Sequence, residues 1–265
     1  MIVVSQIGEI LFSIPEWLGR LLLLFWDSVV DILRLLLAKY NWRLFRELRR
    51  ATLIQVWYTA LQIVALIVLI GIGTGAILLM GAYTTLRTLG AEDIFLLIFR
   101  HLLVLELLPL LLSVIVIARS ATAITADVAS QVINGEIEVM RVHNMSANLL
   151  VVVPRILAVP LSLFVLEAFF MLSLLGSMVI LAPFQDGVIA HILHGMQSIV
   201  TTMDIVWVLL KTMVFGVLIA LISCYKGLNV FRDIRELPRA SSQAVVLCMI
   251  TVFLVDFVFA IGMWV

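Results

Sequence analysis

The sequence predicts an all-α integral membrane protein: five transmembrane helices, an N-terminal interfacial amphipathic helix ahead of them, and a cytoplasmic amphipathic helix between spans two and three. Three observations carry this. Of 265 residues, 64% are apolar and only 13% are charged, roughly half the charged share of a soluble domain. The mean hydropathy is +1.22, so the polar surface needed to cover a water-soluble core is missing. The apolar residues also fall into long runs, and the lysines and arginines collect in alternate loops.

Composition excludes several classes of function. The 17 basic side chains are matched by 17 acidic ones, so a nucleic-acid binder with a net positive footprint is excluded. Such an apolar chain is not disordered. Cys224 and Cys248 sit inside apolar runs without CxxC or Cys/His spacing, and support neither a disulfide framework nor a metal site.

A helix needs about 20 apolar residues to cross the hydrocarbon core. Leu53–Ala82, Ile94–Ala118, Leu149–Ala182, Ile205–Tyr225 and Ala244–Val265 meet this, and the third is long enough to tilt. None alternates with a period of two, so barrel strands are excluded. Lys39, Arg43, Arg46, Arg49 and Arg50 precede span one; Arg119 and Arg141 separate spans two and three; Lys226, Arg232, Arg235 and Arg239 separate spans four and five. The other side has Arg87 alone, eleven against one. The positive-inside rule therefore places the N-terminus in the cytoplasm and the C-terminus outside.

Residues 9–37 are patterned differently. Glu9, Glu16, Arg20, Asp27, Asp31 and Arg34 are spaced 7, 4, 7, 4 and 3 apart, which puts them on one stripe of a helix. Pro15 starts or kinks the main segment. A signal peptide needs a basic start and an uncharged apolar run, and neither is present. The segment reads as a helix lying in, or dipping into, the cytoplasmic interface. A sixth span is the alternative, opposed by Asp27 and Asp31 at its centre.

A charge near the bilayer centre costs about 2.5–3.5 kcal/mol on insertion scales. Glu106 in span two, Lys211 in span four and Asp256 in span five each need a reason, as do Glu167 in span three and Arg100 and His101 towards the outer end of span two. Glu106, Lys211 and Asp256 neutralise one another only if their spans meet. Two readings stand together: a structural ion-pair network, or the wall of a polar cavity for a charged head group or an ion.

Gly71 and Gly75 form a GxxxG pair within GxGxG, here inside a span with no preceding strand, and point to close helix packing. Pro109 and Pro160 lie inside spans two and three, where a kink makes room for a cavity. No G-x-x-x-x-G-K-[ST] occurs, so ATP is not bound by that route. His191 and His194 in an outer loop lack a third metal partner and read as surface residues.

From Arg119 to Asn148 the chain turns polar while keeping a helical period: Ile133, Ile137 and Met140 make one face, and Asn134, Glu138 and Arg141 the adjacent one. The apolar face needs cover, from lipid or from a groove on a soluble partner.

Leu105–Pro109 (LELLP), Ala118–Asp127 (ARSATAITAD), Gly135–Val142 (GEIEVMRV) and Val153–Ala158 (VPRILA) follow one another in the order of the permease family known as MlaE or YrbE. Lys211, Phe215-Gly216, Ser223–Gly227 (SCYKG), Arg239-Ala240 and Asp256-Phe257 continue the match in order and spacing. The chain resembles that family over nearly its whole length. The resemblance implies the membrane subunit of an ABC transporter that moves phospholipid or a related lipid between inner and outer bacterial membranes, with residues 1–265 as a single permease domain. It implies a second permease copy, as a homodimer or a heterodimer with a related permease, a cytoplasmic ABC ATPase, and a periplasmic MCE-domain protein. Glu136, Ile137, Glu138, Met140 and Arg141 would then seat a coupling helix in the ATPase, and Glu106, Lys211 and Asp256 would lie near the lipid cavity. No cofactor is expected on this chain, ATP and Mg belonging to the partner ATPase, and the chain is not expected to be an enzyme.

Leu105 and Leu108 replace an arginine and a glycine of the family's RELGP, Gly135 replaces an acid at the head of the coupling motif, and Ala147 stands where a proline is common. A proton-coupled secondary transporter using Glu106, Lys211 and Asp256 is the main alternative, although no internal repeat is found. A lipid-acting enzyme lacks a nucleophile–base or metal constellation, and a purely structural subunit is the remaining alternative. With no Ser/Arg-rich transit segment before the interfacial helix, the expected location is a bacterial inner membrane.

Overall fold

The computed structural model describes residues 19–31, 42–143, 146–181, 201–231 and 233–264, which are helical apart from short turns, with no strand among them. Among the described residues, five helices are long and apolar enough to cross a bilayer: Arg46–Thr88, Ile94–Ile133, Asn148–Leu181, Thr202–Leu228 and Ile234–Gly262, here spans one to five. Each coincides with an apolar run of the sequence, and four of them outrun it. Helical hydrogen bonding does not stop where hydropathy does, because alanine, arginine and leucine propagate a helix in either solvent. Pro238 lies in the first turn of the last helix, where its missing N–H is not needed.

Span two differs most from expectation. The polar stretch after Ala118 continues the same helix to Ile133 instead of starting a new one. Its hydroxyls are satisfied locally: Thr125 Oγ1 donates to Ala121 O at 2.8 Å, and Thr122 Oγ1 to Arg119 O at 2.6 Å. Gly135 then turns the chain with φ +77°, a conformation in which a side chain is strained, and the separate short helix Glu136–Val142 follows.

Span three is the axis. Of its most apolar window 67% is buried, against 28% for span one and 17% for span five. Span one docks on it through small residues. A Cβ on Gly71 would lie 2.0 Å from Ser173 Oγ, and one on Gly75 2.4 Å from Leu174 O, whereas Gly73 faces open space. The GxxxG pair is therefore a packing notch. Span four closes on the other side of span three, where a Cβ on Gly216 would meet Pro160 Cα at 2.4 Å. Ile67, Leu112, Leu163, Leu166, Phe215 and Ile219 fill the space between, all at 0% exposure. At the turn between spans one and two, Tyr83 meets Phe95 edge-on at 5.3 Å.

Residues 19–31 are helical, with Leu21 and Ser28 buried and Leu22, Leu23 and Trp26 exposed. Asp31 Oδ2 accepts from Ser146 Oγ at 3.3 Å, linking this helix to the foot of span three. The rest of the expected 9–37 helix, including Glu9, Pro15, Glu16 and Arg34, lies outside the described residues, as do His191 and His194.

The amphipathic face of the short helix turns inward. Ile137 is 6% exposed and Met140 packs on the main core, while Ile133 packs on a smaller cluster around Ala129 and Val230. The protein's own bundle covers part of this face, burying Ile137 and leaving Ile133 and Met140 half-buried. Val139 and Val142 point outward, at 57% and 84% exposure.

Candidate functional site

Glu106, Lys211 and Asp256, from spans two, four and five, come together. Lys211 Nζ lies 2.5 Å from Glu106 Oε2 and 2.6 Å from Asp256 Oδ1, and it also donates to Leu105 O at 3.2 Å. The Lys211 side chain is 2% exposed, against 26% for Glu106 and 16% for Asp256. Phe215, one turn on, places its ring centroid 5.9 Å from the ammonium, close enough for a cation–π contact. Burying an ammonium this deep in an apolar bundle is costly unless carboxylates pair with it. Glu106 belongs to the stretch Phe99–Leu107, which winds as a π-helix; the wider turn re-aims side chains relative to an α-helix.

Glu106 also faces a cavity of about 730 Å³. Leu97, Leu102, Leu105 and Trp207 contribute apolar wall, and Arg100 and Asp204 contribute the polar rim. Lys211 and Asp256 are not in the lining: the ammonium stands behind Glu106 and Asp256 flanks it. Of the three predicted charges, one meets the cavity and two hold it in place.

The Arg100–Asp204 pair was not legible as a pair. Arg100 Nε donates to Asp204 Oδ2 at 2.8 Å and Nη2 to Oδ1 at 2.9 Å, the two-pronged geometry of a guanidinium on a carboxylate. The same carboxylate accepts the Thr201 N–H at 2.8 Å, so Asp204 caps span four while gripping span two. The available signal was the T-x-x-D spacing from Thr201 to Asp204, a capping box. Glu167 stands apart from the cluster, accepting from Thr212 Oγ1 at 2.5 Å.

At the opposite, arginine-rich end, Arg155 is 6% exposed and bonds both Val151 O and the Asp127 carboxylate. Asp127 and Arg155 come from ARSATAITAD and VPRILA, so these two motifs meet as an ion pair between the feet of spans two and three. Arg119 donates to Gln62 O at 2.9 Å and Gln62 Oε1 at 2.7 Å, tying span two to span one. Pro109 opens the α-helical part of span two after its π-helical stretch, and Pro160 lies within the continuous helix Val153–Leu181 against Gly216.

Residues 52–261 match the family described as Permease MlaE. The chain belongs to the MlaE permease family. The match covers all five spans apart from the first residues of span one and the last of span five, and encloses the charge cluster and both ion pairs; residues 19–31 precede it. Similar proteins include the chloroplast protein TRIGALACTOSYLDIACYLGLYCEROL 1 of Arabidopsis thaliana, 26% identical over 58% of this chain and 44% of its own length. A probable ABC transporter permease protein of Synechocystis is 26% identical over 57% of this chain and 58% of its own. Another, of Rickettsia typhi, is 24% identical over 65% of this chain and 67% of its own. The matched stretch thus spans about half the length of the first two relatives, at 44% and 58%.

Proposed function

We propose that this chain is the membrane subunit of an ABC transporter that moves phospholipid or a related lipid between bacterial inner and outer membranes. The observation that carries this is the junction of the two features at Glu106: an apolar cavity whose polar floor is a carboxylate held by a buried ammonium. Acyl chains against the apolar wall gain about 0.8 kcal/mol per buried methylene, and the head group meets Glu106 and the Arg100–Asp204 fork. Two relatives named as probable ABC transporter permeases, and one whose name is that of a galactolipid, support the reading.

In this reading the arginine-rich end faces the cytoplasm, where a separate ATPase binds ATP and Mg, and the cavity lies towards a periplasmic MCE-domain protein. A second permease, identical or related, covers the apolar outer face of span five, where Phe253, Leu254 and Phe257 are exposed. The ATPase contact falls on the outward side of the short helix, where Glu136, Glu138 and Val139 are exposed, with Arg141 in the same turn. Ile137 and Met140 pass its movement into the bundle. Asp127–Arg155, close behind, makes the feet of spans two and three move together.

The test is lipid transfer by the purified, reconstituted complex. Glu138→Ala with Arg141→Ala lowers ATP-driven transfer while the spans stay folded; normal transfer by that double variant rejects the coupling role. Co-purification without an ATPase or an MCE protein rejects the assembly. One observation favours a proton-coupled reading: two carboxylates face one ammonium, leaving a formal negative charge that a proton would neutralise. Transfer that follows a proton gradient without any ATPase would select it.

A further inference from the structure

A second cavity, of about 470 Å³, lies at the other end of the bundle from the lipid cavity, between the 19–31 helix, the end of span four and the start of span five. Arg20, Lys226 and Arg239 line it, one from each element, against a single carboxylate, Glu236. Glu236 Oε2 is engaged by the Phe231 N–H at 3.2 Å, and Lys226 Nζ donates to the neutral Gln243 Oε1 at 3.3 Å. Among the described residues none of the three cations is matched by an ion pair. Three like charges converging from separate elements repel one another, and among the described residues of the lining Glu236 is the single carboxylate set against them. The Tyr225 side chain and the Gln243 amide complete a polar lining.

We propose that this pocket binds an anionic phosphate group, supplied by the head group of an anionic phospholipid in the adjoining leaflet or by phosphate from solution. Guanidinium groups present forked N–H donors that match phosphate oxygens, and basic pockets beside membrane helices on the cytoplasmic side take anionic head groups. An occupant would bridge the 19–31 helix to the turn between spans four and five. The proposal does not depend on the transport reading, since it uses other residues at the other end of the bundle.

The experiment is native mass spectrometry of the full-length chain in mild detergent, titrated with dioleoylphosphatidylglycerol or dioleoylphosphatidylcholine, each with and without millimolar inorganic phosphate. Phosphatidylglycerol is expected to bind more tightly than phosphatidylcholine, whose ammonium already neutralises its phosphate. Lys226→Gln and Arg239→Gln should each weaken it about fivefold, the cost of one surface cation, and Arg239→Lys should restore binding. Competition by inorganic phosphate without a phosphatidylglycerol preference supports the site and identifies solution phosphate as the source. Equal binding of the two lipids, unmoved by the substitutions or by phosphate, overturns the proposal. An equal loss in Glu106→Gln also overturns it, because the signal then reports the lipid cavity. Should the Lys226 and Arg239 variants fail to fold, Arg20→Gln, on an exposed position of its helix, is expected to give the same fivefold loss.

Discussion

Lys211 of span four and Glu106 of span two meet at 2.5 Å with the lysine side chain 2% exposed, 105 residues apart in sequence. This contact joins the floor of the apolar cavity to the packed interior, so a change at either residue acts on stability and on the cavity together.

Lys211→Met removes the ammonium and leaves Glu106 and Asp256 facing each other. Breaking a buried ion pair from one side costs about 3–5 kcal/mol, so the variant should unfold at a clearly lower temperature or denaturant concentration in detergent. Combining it with Glu106→Gln and Asp256→Asn, which removes the charges altogether, should recover most of that loss. A single variant as stable as the unaltered chain would show that the cluster carries no net electrostatic weight.

Gly75→Leu drives a side chain into Leu174 O and Ser177 Oγ, which a bare Cβ would already approach at 2.4 and 2.1 Å. Separation of span one from span three is expected, seen as loss of monodisperse protein after solubilisation. Gly73→Leu, two residues away with nothing within 4 Å, should purify normally. Equal behaviour of the two variants would contradict the packing notch.

Asp204→Asn weakens two contacts at once, the fork to Arg100 and the cap on Thr201. Lost caps cost about 1 kcal/mol, and a charge-assisted pair adds a comparable amount. A lowered unfolding midpoint is expected, with a smaller fall for Arg100→Gln, which leaves the cap in place. Equal falls would assign the whole effect to the ion pair.

On the short helix, Ile137→Ala and Val139→Asp should separate folding from coupling. Ile137 is buried, so its truncation costs about 2 kcal/mol or more of stability. Val139 is 57% exposed, so its substitution should leave the unfolding midpoint unchanged while reducing ATP-driven lipid transfer. Unimpaired transfer in Val139→Asp would move the proposed ATPase contact elsewhere.

Much of the fold is legible one residue at a time. The five spans follow from hydropathy, because the free energy of placing a side chain in hydrocarbon is nearly additive along a helix. The ends of spans two and five escape that reasoning: the helix past Ala118 is held by Thr122 and Thr125 bonding back to their own turn, and span five starts at Ile234, with Pro238 in the first turn of its α-helix, well before its apolar run begins. The direction of the Ile133–Ile137–Met140 face escaped it too. Periodicity shows that a face is apolar, while what covers it depends on Gly135 folding the short helix back onto the bundle.

The sequence by itself determined that lipid is the solvent of this protein, that five runs are long enough to cross it as helices, and that Glu106, Lys211 and Asp256 each need a partner, since an isolated charge in hydrocarbon is too costly to keep. Only the tertiary structure decided that Glu106 faces the cavity while Lys211 stands behind it, that Arg100 takes Asp204, and that Arg20, Lys226 and Arg239 converge. The rotation and lateral contact of each helix are set by close approaches such as Gly71 on Ser173 and Gly216 on Pro160. Those contacts join residues about a hundred or about fifty positions apart, beyond the reach of any local pattern.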